Sequence, residues 1–317
     1  MLSRFFRSGA GLLLLTFLVL FLGVGSIVAY QIYGVAHPPR LRDAIHPSDL
    51  LLRSDDIPFQ STDGVPLSGW LIHGERDAPV LILCHDLGES KSVFLNSVVP
   101  LQRMGYNLFL FDFRGHGGSG GKGSTLGAEE RYDVLGAIDF LRTRRDLNSD
   151  RMGIWGVGMG AYAAVLAVAE RKEVTALVLD SLYPDIPTYL NEVLFRGLPQ
   201  AASRAGRYAS FFYGPYFQWK INRGAAAQAV TTLSDRNLLF IVRGARPESV
   251  AEGKDLYASV PEGAQADKNL LELENGGASN LYAEDRRKYE EGLIAFFQSH
   301  LSTQPDHPAG VIRLRER

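Results

Sequence analysis

The sequence predicts an α/β fold, a mostly parallel β-sheet with helices on both faces and a helical cap insertion, preceded by one N-terminal transmembrane helix. Three observations predict it. Short apolar runs alternate with stretches of helical periodicity from residue 57 to residue 301, the pattern of a parallel sheet covered on each side. The composition suits one large globular domain, with 317 residues of which 46% are apolar and 21% charged. Residues Ser8 to Gly34 carry no charge.

That uncharged stretch contains the run Leu12 to Leu22 and exceeds the roughly 20 residues needed to cross a bilayer, so residues 1–34 read as an uncleaved anchor. The rival is a cleaved signal peptide ending at Gly34-Val35-Ala36, but signal cores run about 7–15 residues and this one is longer. Arg4 and Arg7 precede the span, which by the positive-inside rule leaves the globular domain outside the cytoplasm. Arg40, Arg42 and Arg53 beyond the span weaken that asymmetry. His37-Pro38-Pro39-Arg40 ends the helix, and residues 35–56 read as a linker of prolines and charges.

The domain is expected over 57–301, with strands near 66–72, 79–84, 107–112, 152–156, 175–180, 237–243 and 269–274. Its last helix runs from Asp285 to Leu301, and 302–317 reads as a disordered polar tail. The connection over about 183–233 is far longer than the loops usual in such folds and reads as an inserted helical cap. Its aromatics, Phe195, Tyr208, Phe211, Phe212, Tyr213, Tyr216, Phe217 and Trp219, either line a ligand cleft or fasten the cap down. A net charge of −2, with no lysine or arginine stripe, argues against a nucleic-acid partner. Cys84 is the only cysteine, so no intrachain disulfide forms, and its place in the apolar run Pro79 to Cys84 makes it a buried small hydrophobe.

Three motifs stand at strand ends in chain order. Leu83-Cys84-His85-Asp86 follows one strand, Asp112-Phe113-Arg114-Gly115-His116-Gly117-Gly118-Ser119-Gly120 follows the next, and Gly156-Val157-Gly158-Met159-Gly160 joins a strand to a helix. In this order they resemble the α/β-hydrolase superfamily, specifically the membrane-anchored Bem46-like and prolyl-oligopeptidase-related serine hydrolases. The resemblance covers roughly Ile57 to Leu301. It implies a nucleophile elbow GxSxG at Gly156 to Gly160, an oxyanion region at His85, Asp86, Leu87 and Met159, an acid after the seventh strand and a histidine after the eighth.

The chain departs from that pattern at every catalytic position. Gly158 stands where the serine should be, Pro247 where the acid should be, with Glu248 one residue on, and Ala278 where the histidine should be. No histidine occurs between His116 and His300, so no general base is supplied by the loops that normally carry one. His85 and His116 read as structural hydrogen-bonding groups of their turns, and they are too few for a metal site without a nearby carboxylate pair. Asp180 ends the sixth strand, where some hydrolases place their acid. Asp86 replaces the glycine of the family's HG turn and puts a negative charge beside the presumed oxyanion hole, where it opposes a developing oxyanion.

The reading that follows is a membrane-anchored, noncatalytic hydrolase-like protein, without cofactor or metal, that binds a small molecule or a protein at the cap cleft. Two alternatives remain. One is a serine-type ester or peptide hydrolase with relocated residues, for instance Ser119 or Ser181 as nucleophile. The other is a site for a dinucleotide such as NAD or NADP, because Gly156 to Ala161 also fits GxGxxA and Asp180 ends the following strand.

Overall fold

The computed structural model describes residues 9–43, 45–194, 225–243, 247–263, 266–274 and 283–302. Two compact units make up the chain, one of residues 1–37 with 186–222 and the other of residues 38–185 with 223–317.

The first unit holds α1 (Gly9–Ala36), 28 residues long. At about 1.5 Å per residue α1 is near 42 Å, longer than the roughly 30 Å hydrocarbon core of a bilayer. It is long and apolar enough to cross a membrane. Its polar side chains return to their own helix, Thr16 to the Leu12 carbonyl at 2.9 Å and Ser26 to the Leu22 carbonyl at 2.8 Å. Such bonds remove a donor that lipid cannot satisfy.

The second unit is built on one eight-stranded sheet. Its strands are β1 (Ser54–Gln60), β2 (Pro66–Ile72), β3 (Pro79–Cys84), β4 (Asn107–Phe111), β5 (Asn148–Val157), β6 (Val174–Asp180), β7 (Asn237–Arg243) and β8 (Lys268–Leu273). The spatial order is β1-β2-β4-β3-β5-β6-β7-β8. β2 runs antiparallel to β1 and β4, and every pair from β4 to β8 is parallel. All residues of β3 and β4 are buried, which explains why these strands read as continuous apolar runs rather than alternating ones.

Alternation along each strand sends side chains to two opposite helix layers. Leu81, Leu83, Trp155 and Val157 share one core with α2 (Leu95–Arg103) and with the helix Ala283–His300 at the domain's end, through Leu95, Leu101, Leu293 and Phe297. On the other face Phe109 stacks on Phe140 of α3 (Glu130–Thr143), ring centroids 5.5 Å apart, and α3 packs beside α4 (Met159–Ala169). The remaining helices are α5 (Ile186–Leu194) in the first unit, then α6 (Ala225–Val230) and α7 (Pro247–Ser259), so the terminal helix is α8.

Two features differ from the sequence reading. The seven predicted strands are present, but β1 begins at Ser54, within the stretch read as linker. Its sequence Ser-Asp-Asp-Ile-Pro-Phe-Gln has one buried residue, Phe59, and an internal Pro58, which an edge strand tolerates and which erases the apolar pattern. Residues 40, 43 and 52 of that linker are bound to the domain. Arg40 donates to the Ser119 and Gly121 carbonyls, each at 2.6 Å, and Leu52 is buried. Lys91, 2% exposed, bridges Asp43 at 2.7 Å and the fully buried Asp112 at 2.6 Å. Of the predicted cap, residues 195–224 with all the named aromatics lie outside the described residues, as does the tail from 303.

Because Asp112 has no other ion-pair partner among the described residues, Lys91→Met leaves a buried carboxylate without its cation. The expected loss is about 3–5 kcal/mol in urea unfolding at pH 7.

Candidate functional site

The site is the C-terminal edge of the sheet, where β5 turns into α4 beside the end of β3. Gly158 forms that turn with φ 51° and ψ −112°, a backbone conformation costly for residues with a side chain. Its flanking glycines are required by backbone contact. A Cβ on Gly160 would lie 2.1 Å from the Cys84 carbonyl oxygen, and one on Gly156 would lie 2.6 Å from the Ala161 Cα. The strand-to-helix turn of an elbow is therefore fully built.

Asp86 projects into this turn. Its Oδ1 accepts the Leu87 amide at 2.7 Å and the Met159 amide at 2.8 Å. These are the residue after the HG-type turn and the residue after the elbow apex, the two amides that in a hydrolase stabilise a tetrahedral oxyanion. A Cβ on Gly158 would stand 2.1 Å from Asp86 Oδ1, 2.4 Å from Cγ and 2.6 Å from Oδ2. The carboxylate thus fills both the oxyanion hole and the space of a nucleophile's side chain. Burial pushes the Asp86 carboxyl up to about 6, with Asp180 adding to the rise, while the two amides and Arg243 pull it back.

The predicted residues His85, Asp86, Leu87 and Met159 come together here, and the two histidines hold the turns. His85 Nδ1 donates to the Asp86 carbonyl at 2.7 Å and Nε2 accepts the Phe113 amide at 3.1 Å. His116 Nδ1 donates to the Arg114 carbonyl at 2.9 Å and Nε2 accepts the Gly88 amide at 3.1 Å. Accepting an amide requires a neutral ring, and burial lowers both, His85 to about 3. With both nitrogens of each committed, neither is placed to take a proton from a substrate.

Asp180 is buried one strand away, and it is ion-paired. Its Oδ2 pairs with Arg243 Nη2 at 2.6 Å and accepts the Tyr289 hydroxyl at 2.7 Å, and its Oδ1 accepts Ser181 Oγ at 2.9 Å. Tyr289 in turn accepts Trp155 Nε1 at 3.1 Å, and burial holds its phenol well above the usual tyrosine range. The sequence reading missed Arg243 and Tyr289 as members of the site. The only signal for Arg243 is a charge ending an otherwise apolar strand.

The relocated nucleophiles are both occupied. Ser119 is 2% exposed; its Oγ donates to the Asp112 carbonyl at 2.5 Å and accepts the Ser68 amide at 2.9 Å. Ser181 lies between Asp180 and Arg243 Nε, the latter at 3.3 Å, with no histidine among its hydrogen-bond partners in the described residues. Pro247 opens α7, Glu248 follows it in the same helix, and Ala278 lies outside the described residues. Among the described residues no three metal-ligating side chains converge.

Comparison with known proteins matches residues 75–222 to a family model described as serine aminopeptidase, S33. The α/β-hydrolase domain-containing protein WAV2 of Arabidopsis thaliana is 32% identical over 172 residues, 52% of this chain and 55% of that one. The uncharacterized protein YfhR of Escherichia coli K12 is 28% identical over 182 residues, 53% of this chain and 62% of that one. The chain thus matches less than two thirds of the length of these curated relatives. Among solved structures, the esterase Pf2001 of Pyrococcus furiosus superposes with a TM-score of 0.64 at 26% identity, covering 84% of this chain and 99% of that one. The α/β hydrolase GrgF of a Penicillium species shares the fold, with a TM-score of 0.62 at 17% identity over 79% of this chain and all of its own.

The contact between positions 86 and 158 gives a direct prediction. Gly158→Ser alone forces a left-handed side chain into the Asp86 carboxylate, and about 2–4 kcal/mol of stability is expected to go. Adding Asp86→Gly removes the collision, so the double variant is less destabilised than the sum of the singles by about 1–3 kcal/mol in a double-mutant cycle.

Proposed function

We propose that this chain, which belongs to the α/β-hydrolase superfamily, is a membrane-anchored member that has given up hydrolysis and uses the scaffold to bind a ligand or partner. One observation carries the reading: the Asp86 carboxylate occupies the oxyanion hole and the volume a nucleophile's side chain would need.

Acyl transfer requires an attacking atom, a base to activate it and donors for the oxyanion. Glycine at position 158 supplies no attacking atom. The donors hold an anion already, so a substrate's developing oxyanion would meet a like charge instead of two free amides. For the base, the sequence offers no histidine between 116 and 300, and both histidines at the sheet edge are spent on backbone groups. The alignment of Pro247 and Ala278 with the family's acid and base supports the same conclusion.

Neither alternative fits as well. For a relocated serine mechanism, the candidates Ser119 and Ser181 are each held by two partners, and among the described residues neither side chain is hydrogen-bonded to a histidine. A dinucleotide would place its diphosphate at the start of α4, where the Met159 amide is bound to Asp86 and a second anion would be repelled. Its ribose would need Asp180, whose oxygens are taken by Arg243, Tyr289 and Ser181. The anchor role rests on α1, and Arg4 and Arg7 before it favour an extracytoplasmic domain.

Purified full-length protein is expected to show no labelling by an alkyl fluorophosphonate and no turnover of p-nitrophenyl acetate above buffer. A variant carrying Gly158→Ser, Asp86→Gly, Pro247→Asp and Ala278→His is expected to exceed it at least about a hundredfold in kcat/KM. Wild-type turnover that disappears in Ser181→Ala would overturn the reading.

A further inference from the structure

We propose that the former acyl site of this chain binds a cationic nitrogen, a primary ammonium, seated on the Oδ2 oxygen of Asp86. The inference rests on the noncatalytic reading, since catalysis would need Asp86 out of the oxyanion hole.

The two oxygens of Asp86 are used unequally. Both amides, of Leu87 and Met159, donate to Oδ1, and no group of the described residues donates to Oδ2. Asp86 as a residue is half-buried rather than sealed. A carboxylate held partly out of water keeps its charge at neutral pH best when hydrogen bonds or a cation compensate it. Two amides on one oxygen do half of that.

Among the described residues no cation is hydrogen-bonded to Asp86. The Arg243 guanidinium pairs with Asp180 at 2.6 Å and lies over the Tyr289 ring at 5.4 Å. His85 and His116 are neutral donors and acceptors to backbone, and the Tyr289 hydroxyl donates to Asp180. Summed over the described groups Asp86, Asp180, Arg243, His85, His116 and Tyr289, one negative charge is left over. A hydrolase of this fold presents donors to an anion at this spot, whereas here the polarity is inverted and the complementary ligand is a donor with positive charge. An ammonium completes the missing hydrogen bond and the missing charge together.

The test is a ligand-observed NMR titration of the full chain in lipid nanodiscs at pH 7.5 with n-butylammonium, butyrate and butanol. Butylammonium is expected to bind saturably, at least tenfold tighter than the other two, and to weaken at least tenfold in Asp86→Asn. That variant keeps the shape of the side chain and an oxygen for both amides. If it does not fold, the wild type decides: affinity must fall as pH drops from 7.5 to 5, because protonating a carboxyl that burial holds near about 6 removes the charge the ligand needs. Butyrate binding as tightly as butylammonium, or an affinity indifferent to Asp86→Asn and to pH, overturns the inference. Ester turnover by the wild type sinks the noncatalytic reading as well, whereas no turnover with no ammonium preference sinks this inference alone.

Discussion

A carboxylate and a glycine exclude each other's alternatives at the heart of this molecule. Asp86 can reach the Leu87 and Met159 amides only because position 158 has no side chain, and a side chain at 158 could exist only if Asp86 left. The two residues therefore act as one substitution spread over two strand ends. Their contact pairs one carboxylate oxygen with the Leu87 and Met159 amides, the donors that in a hydrolase of this fold face the transition state.

The rest of the sheet edge keeps this pair in register. Gly160 lets α4 approach the end of β3 to within backbone contact, which brings the Met159 amide to the Asp86 side chain. His85 fixes the Asp86 carbonyl on one side and the Phe113 amide on the other, and His116 holds Gly88 just beyond Leu87. Below that loop, Lys91 joins Asp112 to Asp43 of the segment that follows α1. Both histidines hold the turn as neutral rings, a state favoured by burial, which outweighs the pull of the Asp86 and Arg114 carbonyls toward the charged form.

Much of the fold was legible because burial on both faces writes itself into sequence as unbroken apolar runs, as in β3 and β4. β1 was not, since an edge strand with two aspartates and a proline buries one side chain and leaves no period to read. The docking of residues 38–52 was hidden for another reason. Arg40 and Asp43 look like linker charges until partners some 48 to 81 positions away are known. Gly158 and Asp86 each stood out as departures from a motif, yet only geometry joins them. Arg243 and Tyr289 carry no motif, and their place beside Asp180 follows from packing between β6, β7 and α8.

The central claim is that the Asp86 carboxylate sits in the oxyanion hole in solution. The most direct measurement is the pH dependence of the Leu87 and Met159 amide proton resonances in isotope-labelled protein. Both amides donate to the same oxygen, so the account predicts that they shift together with one midpoint, near about 6, where burial has moved the Asp86 carboxyl. Amides that do not shift between pH 4 and 8, or that shift with separate midpoints, would contradict it.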